Sequence, residues 1–144
     1  MPTPNWSKQG ASVASAVAAK KKRPLCEIYG ESQADWDRCK FEARELMIAR
    51  ARVRGMLSYG ELANQLTTIR IEPHDPKLWA IIGDVASDEA TVGRGLLSVV
   101  VVHKSGDMEP GPGFYELAKY FGRKTSDKTK CFIAELHLVH SQWS

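Results

Sequence analysis

Between residues 54 and 116 the sequence reads RGMLSYGELANQL, then DPKLWAIIGDV, then LLSVVVVHK, then EPGPGFYE. Two helix starts, one apolar run and one glycine-proline turn follow in that order. The run at 96–102, LLSVVVV, is β-branched and almost wholly apolar, which predicts a strand buried on both faces. Helical patterns precede and follow it, so the order predicts an α+β fold, mainly α, with one buried strand or a small sheet.

The helices are legible from their caps. Ser32 is an N-cap, and the stretch from Gln33 to about Arg54 holds neither Gly nor Pro. Trp36, Cys39, Ala43 and Met47 recur on one face of this long N-terminal helix, with Lys40, Arg44, Arg52 and Arg54 elsewhere. Gly55 is placed to end it. Ser58 and Glu61 have the spacing of a capping box, with Leu62, Ala63 and Leu66 as the buried side. Asp75-Pro76 opens a further helix, with an aspartate cap and proline in the first turn. Leu78, Ile81, Ile82 and Val85 form its apolar face. HKSGDMEPGPG reads as a turn or wing. Residues 114–121 predict a short helix stopped by Gly122. A C-terminal amphipathic helix runs from about Asp127 to Trp143, carrying Phe132, Leu136, Val139 and Trp143.

A chain of 144 residues, 43% hydrophobic and 26% charged, suits one globular domain, placed here at 25–144. Residues 1–24 read as a flexible basic tail ending in Lys20, Lys21, Lys22, Arg23 and Pro24. Its positive charges follow the weakly apolar ASVASAVAA instead of preceding it, the reverse of a signal peptide. No apolar run approaches the ~20 residues needed to span a bilayer, so no membrane association is expected. Cys26, Cys39 and Cys131 are widely spaced, with no CxxC pair. They predict neither a zinc site nor a disulfide framework, and point to a reducing, cytoplasmic compartment. No metal or cofactor is expected. Charge is divided unevenly: residues 1–54 hold eleven Lys/Arg and six Asp/Glu, residues 55–144 nine and eleven. Phosphate neutralisation dominates affinity for nucleic acid, so a positive face would have to come from the tail and residues 40–54. Asp84, Asp88 and Glu89 make their helix end acidic, which a phosphate backbone would repel.

The ordered set of SYGELA, Ile82-Gly83, the apolar strand, His103 and the glycine-rich turn resembles the C-terminal, winged-helix domain of the O6-alkylguanine-DNA alkyltransferases and the alkyltransferase-like proteins. The resemblance covers about residues 54–115. It implies a winged-helix-like core and binding to DNA. In the family a Pro-Cys-His-Arg-Val motif carries the alkyl-accepting cysteine. Laid on that motif, Val101 falls at the proline, Val102 at the cysteine, His103 at the histidine and Lys104 at the arginine. A valine cannot form a thioether, so the resemblance implies no alkyl transfer here. Alkyltransferase-like proteins also lack the cysteine, yet bind alkylated bases and recruit repair. Tyr59 falls on the family tyrosine that helps turn the target nucleotide out of the duplex. Ile82-Gly83 falls on its Val-Gly-Gly segment, with Asp84 in place of the second glycine. The family's arginine that enters the stack has no match; Arg94 is the nearest, several residues late.

The expected function is therefore a non-catalytic DNA-binding module. Tyr59, Ile82, Gly83, His103 and Lys104 would line its cleft, joined by Arg94, with Lys20, Lys21, Lys22 and Arg23 on phosphates. A second reading is a small enzyme of unassigned reaction built on Tyr59, Glu61, Arg94, Ser98, His103 and Glu116, with His103 and Glu116 as an acid/base pair. A third is a protein-interaction adaptor. Each residue also has a structural reading: Tyr59 as a packed ring, Glu61 as a capping carboxylate, Arg94 as a surface cation. Trp36, Trp79 and Trp143 read as core or interface anchors.

Overall fold

The computed structural model describes residues 23–104 and 108–144. The fold is α+β and mainly α, with six α-helices and a two-stranded parallel sheet among the described residues. The order is α1 (Leu25–Ile28), α2 (Gln33–Arg52), β1 (Leu57–Ser58), α3 (Tyr59–Gln65), α4 (Pro76–Thr91), a 3-10 turn (Leu97–Val100), β2 (Val101–Val102), α5 (Pro112–Tyr120) and α6 (Lys128–Trp143). Lys20, Lys21 and Lys22 lie outside the described residues. Arg23 is exposed and donates to the Glu27 carbonyl.

Caps set the helix starts. Ser32 Oγ accepts from the Asp35 N–H, and Asp75 accepts from the Lys77 N–H ahead of Pro76. At Ser58 the capping box is reciprocal: its hydroxyl accepts from Glu61 N–H at 3.0 Å, and the Glu61 carboxylate accepts from Ser58 N–H at 2.8 Å. The end of α2 differs from expectation. Arg54, not Gly55, takes the left-handed conformation (φ 54°), and the Gly55 N–H closes onto the Arg50 carbonyl. The helix stops at Arg52, so the reversal falls one residue before the glycine. At the end of α4 a glycine does hold that position, Gly93 at φ 86°.

The predicted strand at 96–102 is corrected to a 3-10 turn followed by only two strand residues. The reason is pairing. β2 has only Leu57 and Ser58 beside it, in register Leu57 with Val101 and Ser58 with Val102. The preceding residues close their backbone bonds locally, Val99 N–H to the Leu96 carbonyl. Burial is as expected: Leu96 to Val102 are all buried. A continuous apolar run specifies burial without specifying strand or turn.

Around this run α2, α4 and α6 form the core. The predicted face of α2, Trp36, Cys39, Ala43 and Met47, is at most 1% exposed. Burial on α4 is wider than its apolar stripe, because Asp84, Ser87 and Glu89 are also buried. Asp84 accepts from Trp36 Nε1 at 3.0 Å and pairs with Lys40 at 3.2 Å; Lys40 also reaches Asp88 at 2.7 Å. Glu89 accepts from Arg44 Nε at 3.0 Å and Arg94 Nε at 2.6 Å. Burial pushes the Glu89 carboxyl up, but the two guanidiniums outweigh that and hold it below its usual range. The expected acidic helix end is thus neutralised from within. The same pairs occupy Lys40 and Arg44, two of the cations expected to form a positive face.

Candidate functional site

The parallel register that ends at Ser58 and Val102 puts the next residue of each strand side by side. These are Tyr59, the first residue of α3, and His103. Their rings lie 4.9 Å apart at a tilt of 41°, within the range of favourable aromatic pairing. The chain then turns back. His103 N–H donates to the Glu109 carbonyl at 2.9 Å, and Gly111 N–H donates to the Tyr59 hydroxyl oxygen at 2.9 Å. Gly111 lies close against both rings: a Cβ there would stand 3.1 Å from the Tyr59 oxygen. A side chain at 111 would push into the pair.

Tyr59 and His103 form one wall of a cleft of about 620 Å³, counting its open mouth. Trp79, Ile82 and Gly83, on one face of α4, form the second wall. The start of α5 closes the cleft with Gly111, Pro112, Phe114 and Leu117, and Ser98 lines it from the 3-10 turn. Trp79 is 43% exposed, unusual for so large an apolar ring.

Among the described residues no Lys, Arg, Asp or Glu lines this cleft. Its polar groups are hydroxyls, backbone and the His103 imidazole. Burial raises the Tyr59 hydroxyl above its ordinary value, and the Gly111 N–H bond only partly opposes this. Tyr59 therefore stays protonated at neutral pH. Ser98 is 5% exposed, and its Oγ has no hydrogen-bond partner among the described residues. A buried hydroxyl without a partner is uncommon. Such a lining suits a neutral ligand, since a buried charge would find no Lys, Arg, Asp or Glu as partner.

Of the residues singled out from sequence, Tyr59, Ile82, Gly83, Ser98 and His103 meet in this cleft. Lys104 is exposed and is not part of the lining. Arg94 lies elsewhere, paired with Glu89 and with its guanidinium 5.7 Å from the Trp143 ring centroid. Glu61 caps α3 and pairs with Arg50 at 3.2 Å. Glu116 lies on α5 and is not among the lining residues. Sequence reading missed Trp79 and the start of α5. Trp79 was legible as the residue one turn before Ile82 and Gly83 on the same helix face. Gly111 to Phe114 had read only as a turn ahead of a helix. Among the described residues no group of three or more His, Cys, Asp and Glu could hold a metal ion, and no helix is long and apolar enough to cross a membrane.

No family model, curated protein or solved structure matches this chain.

Proposed function

We propose that the chain is a non-catalytic DNA-binding module, related to the alkyltransferase-like proteins and built on a winged-helix-like core, and that its cleft receives a base turned out of the duplex. The observation that carries this reading is the meeting of Tyr59, Ile82, Gly83 and His103 at one cleft. The resemblance singled out these four from separate segments, and their proximity is a property of the fold. A base is planar and mostly apolar, with a polar edge; its phosphates would stay outside a lining that lacks lysine and arginine. Extrusion costs a few kcal/mol, least for a damaged or mismatched base. Trp79, half out of the protein beside Ile82, offers a ring on which the entering base can stack, worth about 1–3 kcal/mol. The basic segment Lys20–Arg23 supplies phosphate contacts that do not depend on sequence, and Lys104 adds a further cation near the cleft.

Val102 stands at the alkyl-acceptor position with a fully buried, non-nucleophilic side chain. The reading therefore stops at binding. A gel-shift panel tests it with duplexes carrying guanine, O6-methylguanine or an abasic site, at about 50 mM salt, where phosphate contacts are strong. The expected order has O6-methylguanine tightest, with Tyr59→Ala removing the preference. The absence of any duplex binding by the full chain would sink the proposal.

A further inference from the structure

We propose that Ser98 is a specificity-determining residue whose hydroxyl hydrogen-bonds the polar edge of the base in the cleft. This inference rests on the base-binding reading above. Ser98 sits in the 3-10 turn among Leu97, Val99 and Val100, which are fully buried and apolar. A serine there gives up apolar packing and carries a hydroxyl that no described residue satisfies. An unpaired buried hydroxyl destabilises a fold, so this position is poor as scaffolding. Its place in the cleft lining supplies a use for it. A bound ring with a carbonyl, an ether oxygen or a ring nitrogen at its edge would provide the missing partner. Serine both donates and accepts, so it discriminates a polar edge from an apolar one without demanding one polarity. Sites that hydrogen-bond a ligand reject analogues lacking the bonding atom, because their own buried group is then left unpaired. The Tyr59 hydroxyl, in the same lining, accepts from Gly111 N–H and also carries a proton of its own to donate.

The experiment compares full-length wild type, Ser98→Ala and Tyr59→Ala on two duplexes. One carries O6-methylguanine, the other an apolar base isostere with no hydrogen-bonding atoms. Wild type should prefer the polar-edged base by about three- to tenfold, the range of one neutral hydrogen bond. Ser98→Ala should erase that preference and leave isostere binding unchanged, and the free Ser98→Ala protein should melt at or above wild type. Equal binding of both duplexes by wild type and Ser98→Ala, still lost in Tyr59→Ala, would overturn the role of Ser98 while leaving base binding in place. Binding that is indifferent to Tyr59→Ala would overturn both. A lower melting temperature for free Ser98→Ala would show that the hydroxyl is bonded within the protein, and would overturn the inference as well.

Discussion

A Cβ on Gly111 would stand 3.1 Å from the Tyr59 hydroxyl oxygen and 3.4 Å from His103 Nε2. The glycine's φ is −71°, which any residue adopts, so space and not backbone strain makes the position restrictive. Gly111→Ala should push the Tyr59 ring away and weaken DNA binding, at a stability loss of about 1–3 kcal/mol typical of overpacking. Gly60 provides the contrast. It lies in the first turn of α3, and its nearest neighbour for a Cβ is Ser58 Oγ at 3.8 Å. Gly60→Ala should raise stability by about 0.5–1 kcal/mol, read from thermal melting. Should Gly111→Ala melt as Gly60→Ala does and bind as wild type, the close approach at Gly111 has no functional weight. The cysteines carry a prediction at the same scale. Cys26, Cys39 and Cys131 are all buried. Burial and the nearby Glu42 push the Cys39 thiol up to about 11, and burial raises Cys131 as well. With little thiolate at Cys39 and Cys131 at neutral pH and Cys26 buried, incubation with O6-methylguanine DNA should add no methyl mass to the intact protein; a stoichiometric adduct would reverse the placement of Val102.

Among the elements, α4 has the most demanding role. It faces the core with Leu78, Ile81 and Val85, lines the cleft with Trp79, Ile82 and Gly83, and ends in a carboxylate held by two guanidiniums. Glu89 ties α4 to α2 through Arg44 and to the chain beyond α4 through Arg94. Its folded carboxyl lies below the ordinary value of 4.5. The stability it contributes is thus present above about pH 4.5 and is lost as pH falls through the depressed folded value. Glu89→Gln should destabilise the protein at neutral pH, toward the lower end of the ~3–5 kcal/mol for breaking a buried pair, because both arginines are partly exposed. The difference from wild type should shrink below pH 4.5. A difference constant from pH 7 to pH 3 would mean that the glutamate acts by packing, not by charge.

On the scale of the molecule, charge decides how the chain could meet DNA. The net charge is +3, yet Lys40, Arg44, Arg94 and Arg123 are engaged with internal carboxylates. Of the other sixteen Lys and Arg, four are concentrated in consecutive positions at 20–23. Neutralising Lys20, Lys21, Lys22 and Arg23 to glutamine should weaken duplex binding. It should also flatten the salt dependence, by about 0.9 in the log–log slope for every phosphate no longer neutralised. Titrations at several salt concentrations would measure this. An unchanged slope would move the phosphate contacts onto the folded domain.

Helix starts were legible in the sequence because caps are local: Ser32, Ser58 with Glu61, and Asp75-Pro76 each satisfy backbone groups within three residues of themselves. The buried face of α2 and the burial of 96–102 followed from residue type in the same way. The geometry of 96–102 did not, since the extent of a strand depends on how many partner residues lie alongside, and that number was two. α1 escaped notice because four residues are too few for a periodic signal. The cleft was half legible: Tyr59, Ile82, Gly83 and His103 could be named, and Trp79 shares the helix face of Ile82 and Gly83 at one-turn spacing, while nothing local marked Gly111. Contacts decided the rest. Only the fold sets Arg44 on Glu89, withdraws Asp84 beneath Trp36, and brings the Gly111 N–H from fifty-two residues away to the Tyr59 oxygen. Local chemistry chose the elements, and the long-range pairing of β1 with β2 chose which side chains share a cleft.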